Sequence, residues 1–198
     1  MIDIMNNCGG FVGLTLITPE IFQDNRGSFT EIYNKRDLEE NGFNKFFVQD
    51  NEVKSKKGVL RGLHFQKEHP QGKLILVTKG EIFDVAVDIR RSSKTFGKWF
   101  GILLSEENRK QLYIPEGFAH GYLALENETI VHYKCTEYYY PAKQCGIIWN
   151  DEDIKIKWKG LIYNSDHPNE SKLKDESKII LSHKDINNMS FRNLFDKE

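Results

Sequence analysis

The chain has 198 residues, 39% hydrophobic and 29% charged, with a formal net charge of −1. That is enough for one domain with a substantial core, and it excludes both a disordered chain and a membrane span, which needs ~20 consecutive apolar residues. A near-neutral balance argues against general nucleic-acid affinity, which needs a basic surface, but allows an anionic ligand held by a few local cations.

The N-terminus, Met1-Ile-Asp-Ile-Met-Asn-Asn-Cys8, lacks a basic leader and carries Asp3 where a signal peptide would be apolar. The three cysteines, Cys8, Cys135 and Cys145, cannot all pair within one chain, and their spacing matches no zinc pattern. Together these features predict a reduced, cytoplasmic setting without membrane attachment, with Cys135 a small core residue in an apolar strand.

In chain order, the first clear element is a short helix from Lys35 to Asn41, ended by Gly42. Val59 to Gln66 reads as β-structure. Lys73 to Thr78 is an apolar strand, followed by a turn at Lys79-Gly80. From Glu81 to Arg90, Phe83, Val85, Val87 and Ile89 alternate with Asp84, Ala86 and Asp88, which predicts a half-buried strand with both aspartates on its other face. Further strands are expected at Lys98 to Leu104, Gln111 to Ile114, Gly121 to Leu125, Thr129 to Cys135 and Gly146 to Trp149. Turn clusters at Ser105, Pro115 and Glu126 separate them. Tyr163 to Lys178 is polar and reads as a surface loop, and Ser182-His-Lys-Asp185 opens a C-terminal helix. Regular short strands with such turns predict an all-β sandwich or barrel, and with no internal repeat a single domain is expected over 1–198.

Two segments carry chemistry: Val59-Leu-Arg-Gly-Leu-His-Phe-Gln66 and Ile114-Pro-Glu-Gly-Phe-Ala-His-Gly121. Histidine is the side chain whose ordinary pKa lies near neutrality, so it is the natural group for moving a proton. The Pro-x-Gly-x-x-His spacing resembles the second motif of cupins, small β-barrels whose metal-binding members place a second histidine where this chain has Gln66. His64 and His120 alone make a poor metal site, so a barrel without a metal is expected.

Phe22-Gln-Asp-Asn-Arg-Gly27, Phe47-Val-Gln-Asp-Asn51, the two histidine segments, Gln71-Gly-Lys73, Asp84-Val-Ala-Val-Asp-Ile-Arg90 and Ile148-Trp-Asn-Asp151 occur in one order from Thr15 to Trp158, and Leu181-Ser-His-Lys-Asp185 follows. In this set the chain resembles the dTDP-4-dehydrorhamnose 3,5-epimerase family. The resemblance implies a cupin-like double-stranded β-helix (jelly-roll) barrel with short peripheral helices. It further implies a homodimer that needs neither metal nor cofactor and acts on dTDP-4-keto-6-deoxy-glucose.

Epimerisation beside a ketone needs a base on one face, an acid on the other and a donor or cation for the enolate oxygen. The resemblance assigns these roles to His64 (base), Asp185 (its orienting acid), Lys73 (enolate stabiliser) and Tyr133 (opposite-face acid). It places Gln49, Asp50, Asn51, Arg61, His120, Tyr138, Tyr139 and Lys184 against the substrate, with Arg61 suited to the diphosphate. It has Arg26 and Glu31 reach the neighbouring subunit's site. The residues alone also admit plainer readings: a satisfied barrel histidine for His64, a helix cap for Asp185, a solvated surface charge for Lys73 and a half-buried strand tyrosine for Tyr133. Tyr138, Tyr139 and Tyr140 are adjacent and cannot all face one ligand from a strand.

The chain departs from the family pattern at Gln144-Cys145, where a glutamate is usual, and at Lys159, where a proline is usual. Three alternatives stay open: an epimerase inverting C3 or C5 alone, a metal-dependent cupin using His64 and His120, and a non-catalytic sugar-nucleotide binder.

Overall fold

The computed structural model describes residues 2–158 and 179–195. The expected loop from Tyr163 to Lys178 lies outside them. The strands are β1 (Asp3–Asn6), β2 (Thr15–Thr18), β3 (Phe22–Asp24), β4 (Gly27–Phe29), β5 (Gln49–Ser55), β6 (Leu60–Gln66), β7 (Lys73–Lys79), β8 (Glu81–Asp88), β9 (Trp99–Ser105), β10 (Gln111–Ile114), β11 (Phe118–Ala124), β12 (Thr129–Cys135) and β13 (Gln144–Gly146). The α-helices are short: α1 (Lys35–Glu40), α2 (His183–Ile186) and α3 (Phe191–Phe195). Among the described residues no helix is long and apolar enough to cross a membrane.

Two antiparallel sheets make the barrel, one ordered β1-β2-β10-β7-β12-β5 and the other β13-β6-β11-β8-β9; β3 and β4 form a separate hairpin. Inward side chains of both sheets, among them Leu16, Ile75, Val77, Ala86, Leu112, Ile114, Phe118 and Val131, fill one end of the interior. This is the cupin-like jelly roll expected from the motifs, with hydrophobic burial its main support.

Strand β8 differs from expectation. It is buried on both faces, because Phe83, Val85 and Val87 pack beneath an outer layer that includes Ile154, Trp158 and Phe191. Asp84 and Asp88 therefore point into the protein, each with 0% of its surface exposed. Arg90, Ser93 and Thr95 surround Asp88 and, against the opposing effect of burial, hold its carboxyl at about 2. The run expected at Gly146 to Trp149 is strand only up to Gly146; beyond it Ile147 makes an isolated parallel bridge to Met189.

Strand β6 carries the feature on which the site depends. In a regular strand Arg61 and His64, three residues apart, would face opposite sides. Here His120 pairs with His64 and Tyr122 with Arg61, so Gly62 and Leu63 on β6 oppose Gly121 alone on β11. This bulge turns both Arg61 and His64 inward while Leu60, Leu63 and Phe65 pack outward. Gly62, at φ +123°, makes it sterically feasible, since a Cβ there would lie 2.5 Å from Gly121 Cα and 2.7 Å from the His120 carbonyl oxygen.

Candidate active site

The end of the barrel not filled by apolar residues holds a cavity of about 510 Å³, within the range of small-molecule sites. One wall comes from β5, β12 and β7. Their alternation presents Gln49, Asn51, Tyr133, Cys135 and Lys73, with Cys135 paired to both Gln49 and Lys73 and Tyr133 paired to Asn51. The facing wall comes from β6 and β11 and presents Arg61, His64, Gln66, His120 and Tyr122. Tyr139, Gln144, Lys184 and Asp185 also line the cavity.

His64 Nε2 lies 2.5 Å from Asp185 Oδ1. The C-terminal segment reaches this position by running parallel to the edge of β6, with Leu60 N–H donating to the Ile180 carbonyl and Ile180 N–H to that of Gly58. Helix α2 then begins at Ser182, whose Oγ accepts from the Asp185 N–H (3.1 Å) and donates to Asp185 Oδ2 (2.8 Å). Ser182 is thus the cap of the helix, and Asp185 braces that cap while partnering the histidine. Burial pushes its carboxyl up, but His64, Ser182 and the Gly62 N–H outweigh this and hold it below the ordinary aspartate value. With Nε2 engaged, Nδ1 is the nitrogen of His64 left for a ligand.

That shift sets the sign of a pH effect. A carboxyl whose folded pKa is depressed adds stability above its unfolded pKa, about 3.9, and loses it as pH falls through the folded value. The stability difference between wild type and Asp185→Asn is therefore expected to be constant near neutrality and to shrink below about pH 4. Thermal unfolding of both proteins across the acid range checks this, and a difference that grew with acid would contradict it.

On the wall of β5, β12 and β7, burial pushes the Lys73 ammonium below its ordinary pKa, against the opposing pull of Cys135 and Asp84. Burial also pushes the Tyr133 hydroxyl up to about 12 and raises the Cys135 thiol. Tyr133 is therefore protonated at neutral pH, as a proton donor must be. Arg61 is fixed at the rim by its Nε donating to Ser55 Oγ (3.2 Å).

The cavity gathers Gln49, Asn51, Arg61, His64, Lys73, His120, Tyr133, Tyr139, Lys184 and Asp185 of the residues singled out in the sequence. Four others lie elsewhere. Asp50, between two inward residues of β5, faces the opposite side by strand alternation, where Lys134 Nζ donates to it at 2.9 Å. The Tyr138 side chain is 56% exposed and does not line the cavity; its carbonyl accepts from Gln66 Nε2. Arg26 pairs with Asp24 on the β3–β4 hairpin, and Glu31 follows that hairpin; both are exposed and neither lines this cavity. Tyr140 stacks on His69 at 4.5 Å between ring centroids. Sequence reasoning missed Asp84, Tyr122 and the Gln144 contacts. Gln144 Oε1 accepts from both Tyr139 (2.7 Å) and Lys184 (2.6 Å), and its place opposite Gln66 in β13 was not readable before the strand pairing was known.

Gln66, where metal cupins carry a histidine, holds the chain instead of a ligand. Its Nε2 donates to the His69 carbonyl (2.6 Å) and its Oε1 accepts from Tyr140 N–H (2.7 Å). His64 and His120 are both engaged at Nε2 by carboxylates. These donors do not form the imidazole set that a cupin metal requires.

A jelly-roll barrel with an imidazole–carboxylate pair on one wall of its cavity and a lysine and a protonated tyrosine on the other defines a cupin-like enzyme of the isomerase type. The family model described as dTDP-4-dehydrorhamnose 3,5-epimerase matches residues 10–193. The chain is 58% identical over 146 residues (74% of this chain and 79% of the relative) to the protein of that name from Methanothermobacter thermautotrophicus. Identity to the one from Salmonella typhimurium is 54% over 145 residues, covering 72% of this chain and 79% of the relative. A crystal structure of dTDP-6-deoxy-D-glucose-3,5-epimerase from Legionella pneumophila, in complex with dTDP-4-keto-L-rhamnose, superposes with a TM-score of 0.82 at 41% identity, covering 99% of this chain and 95% of that one. The chain belongs to the dTDP-4-dehydrorhamnose 3,5-epimerase family.

Proposed function

We propose that this protein inverts C3 and C5 of dTDP-4-keto-6-deoxy-glucose to give dTDP-4-keto-rhamnose, by proton transfer in the cytoplasmic assembly of a dTDP-linked sugar. The observation that carries this reading is the His64–Asp185 pair on one wall, facing Tyr133 and Lys73 on the other, inside a cavity large enough for a sugar. His64 Nδ1 takes the hydrogen from the carbon beside the C4 ketone, and the C–H electron pair moves into the carbonyl to give an enolate. Lys73 stabilises the negative oxygen. Tyr133 then delivers its hydroxyl proton to the same carbon from the opposite face, which inverts it. Proton exchange with solvent restores neutral imidazole and phenol, and the sequence repeats at the second carbon. Asp185 holds the His64 ring in one orientation and one tautomer.

Arg61 and Lys184 supply cations for the diphosphate, and Tyr139 an aromatic face for the base. In this reading the protein is a homodimer in which Arg26 and Glu31 complete the neighbouring site. The outward hairpin supports it, since Phe22 and Phe29 on its strands are 52% and 67% exposed.

Incubation in D2O tests the proposal. Wild type is expected to place deuterium at both C3 and C5 of the product. Tyr133→Phe keeps the base but lacks the opposite-face acid. It is expected to exchange deuterium into substrate of unchanged configuration while inversion falls by about 10²–10⁴-fold, the range for removing a general acid. Inversion at one carbon alone in wild type would reassign the enzyme to the C3-only or C5-only reading, and no exchange at either carbon would refute the proton-transfer chemistry.

A further inference from the structure

The base and its carboxylate come from opposite ends of the chain, and one short stretch holds both. Gly146 pairs with His64 across β13 and β6, and Ile147 exchanges two backbone hydrogen bonds with Leu63, the residue before the base (3.2 and 2.9 Å). The same stretch holds the C-terminal segment, because the Ile148 N–H donates to the Met189 carbonyl (2.9 Å) and Ile147 bridges Met189 in parallel. Between Asp185 and Met189 the chain has little slack. Ser182 caps the start of α2; at its end the Asn187 N–H donates to the Lys184 carbonyl (3.2 Å) and the Asn187 side-chain amide to the His183 carbonyl (2.7 Å).

Asn188 comes next, and its side-chain amide lies directly on Gly146: a Cβ added to that glycine would overlap Oδ1, Cγ and Nδ2 of Asn188. Gly146 is not among the glycines at positive φ, so its backbone admits any residue and its missing side chain provides space alone. The Asn188 Nδ2 is buried with no hydrogen-bond partner among the described residues, so that donor is held there by fit and not by a bond of its own. We infer that Gly146 and Asn188 are a matched pair of positioning residues: the bare backbone at 146 receives the Asn188 amide, and this contact sets the depth at which Asp185 meets His64. The inference rests on the epimerase reading above and adds two residues to which that reading gave no role. The lever is short, since Asn188 lies three residues beyond Asp185 and Gly146 stands opposite His64 itself. A misplacement of about 1 Å in a catalytic constellation costs up to about 10²-fold in rate.

The test is Gly146→Ala, read as kcat for epimerisation and as the downfield 1H resonance of the His64–Asp185 hydrogen bond, assigned by its loss from Asp185→Asn. The added methyl forces the Asn188 amide away. The variant is expected to lose about tenfold in kcat and to shift that resonance upfield. Asn188→Ala, which removes the three overlapped atoms, is expected to lose several-fold by itself. Combined with Gly146→Ala, it should restore most of kcat and return the resonance toward its wild-type position. In an Asp185→Asn background, Gly146→Ala should cost nothing further. A wild-type kcat or an unmoved resonance in folded Gly146→Ala overturns the inference. So does a double variant no better than Gly146→Ala, or an equal loss in the Asp185→Asn background. Should Gly146→Ala not fold, Asn188→Ala alone decides the matter: a lower kcat with a shifted resonance is expected, and an unmoved resonance overturns the inference. The resonance is read even if wild type exchanges no deuterium, the result that would refute the underlying epimerase reading.

Discussion

Replacing His64 with alanine is expected to lower kcat for epimerisation by about 10²–10⁴-fold, or about 3–5 kcal/mol of barrier, the range for losing a general base. The argument is one of placement. The bulge in β6 turns the ring into the cavity, and Asp185 anchors Nε2 at 2.5 Å. No other described imidazole occupies the same place, because His120 is held by Asp84 on the adjacent strand. Deuterium uptake at both carbons should fall with kcat. Affinity for dTDP, measured by calorimetry, should change little, since the nucleotide is assigned to Arg61, Tyr139 and Lys184. Unchanged exchange in His64→Ala would show that a group other than His64 is the base.

The second large effect belongs to Lys73. Lys73→Met keeps most of the side chain's length and removes its charge, and is expected to cost about 10²–10³-fold in kcat, as when a preorganised oxyanion donor is removed. The stem of Lys73 starts at the first residue of β7. There the Gly72 N–H donates to Thr136 Oγ1 (2.8 Å), which in turn donates to Glu116 Oε1 (2.5 Å), so the backbone beneath the ammonium is fixed. Burial that lowers the pKa of the ammonium also strips it of water, which strengthens its pull on a developing enolate. The loss should appear in kcat far more than in KM, because the full negative charge exists only once the proton has left carbon. A KM effect alone would show that Lys73 merely binds substrate.

Much of this architecture was legible in the sequence. The strands Gln111–Ile114 and Thr129–Cys135 appear with the bounds read from their apolar runs, and helix α1 ends one residue before the expected Asn41. Strand β8 was misjudged because alternation reports which side is apolar, not whether polar residues on the other side are wet. Asp84 and Asp88 turn instead to internal partners, His120 and Arg90, beneath a layer drawn from distant sequence. The convergence of Arg61 and His64 was hidden for a related reason, since period two sets them apart and only the bulge unites them. Its signal was present in the pair Gly62 and Gly121, whose lack of side chains lets two backbones touch. Asp50 shows the converse: strand alternation could have separated it from Gln49 and Asn51 before any coordinates were known.

The role of Gln66 reaches beyond the wild-type chemistry. Its amide ties together the carbonyls of His69 and Tyr138 and the N–H of Tyr140, so one side chain staples two loops at the mouth of the barrel. An attempt to re-engineer the protein into a metalloenzyme by writing histidine at this position would therefore exchange a three-point brace for a ring that cannot reproduce it. The cation's new ligand would come at the expense of the order of the tyrosine loop at the barrel's mouth.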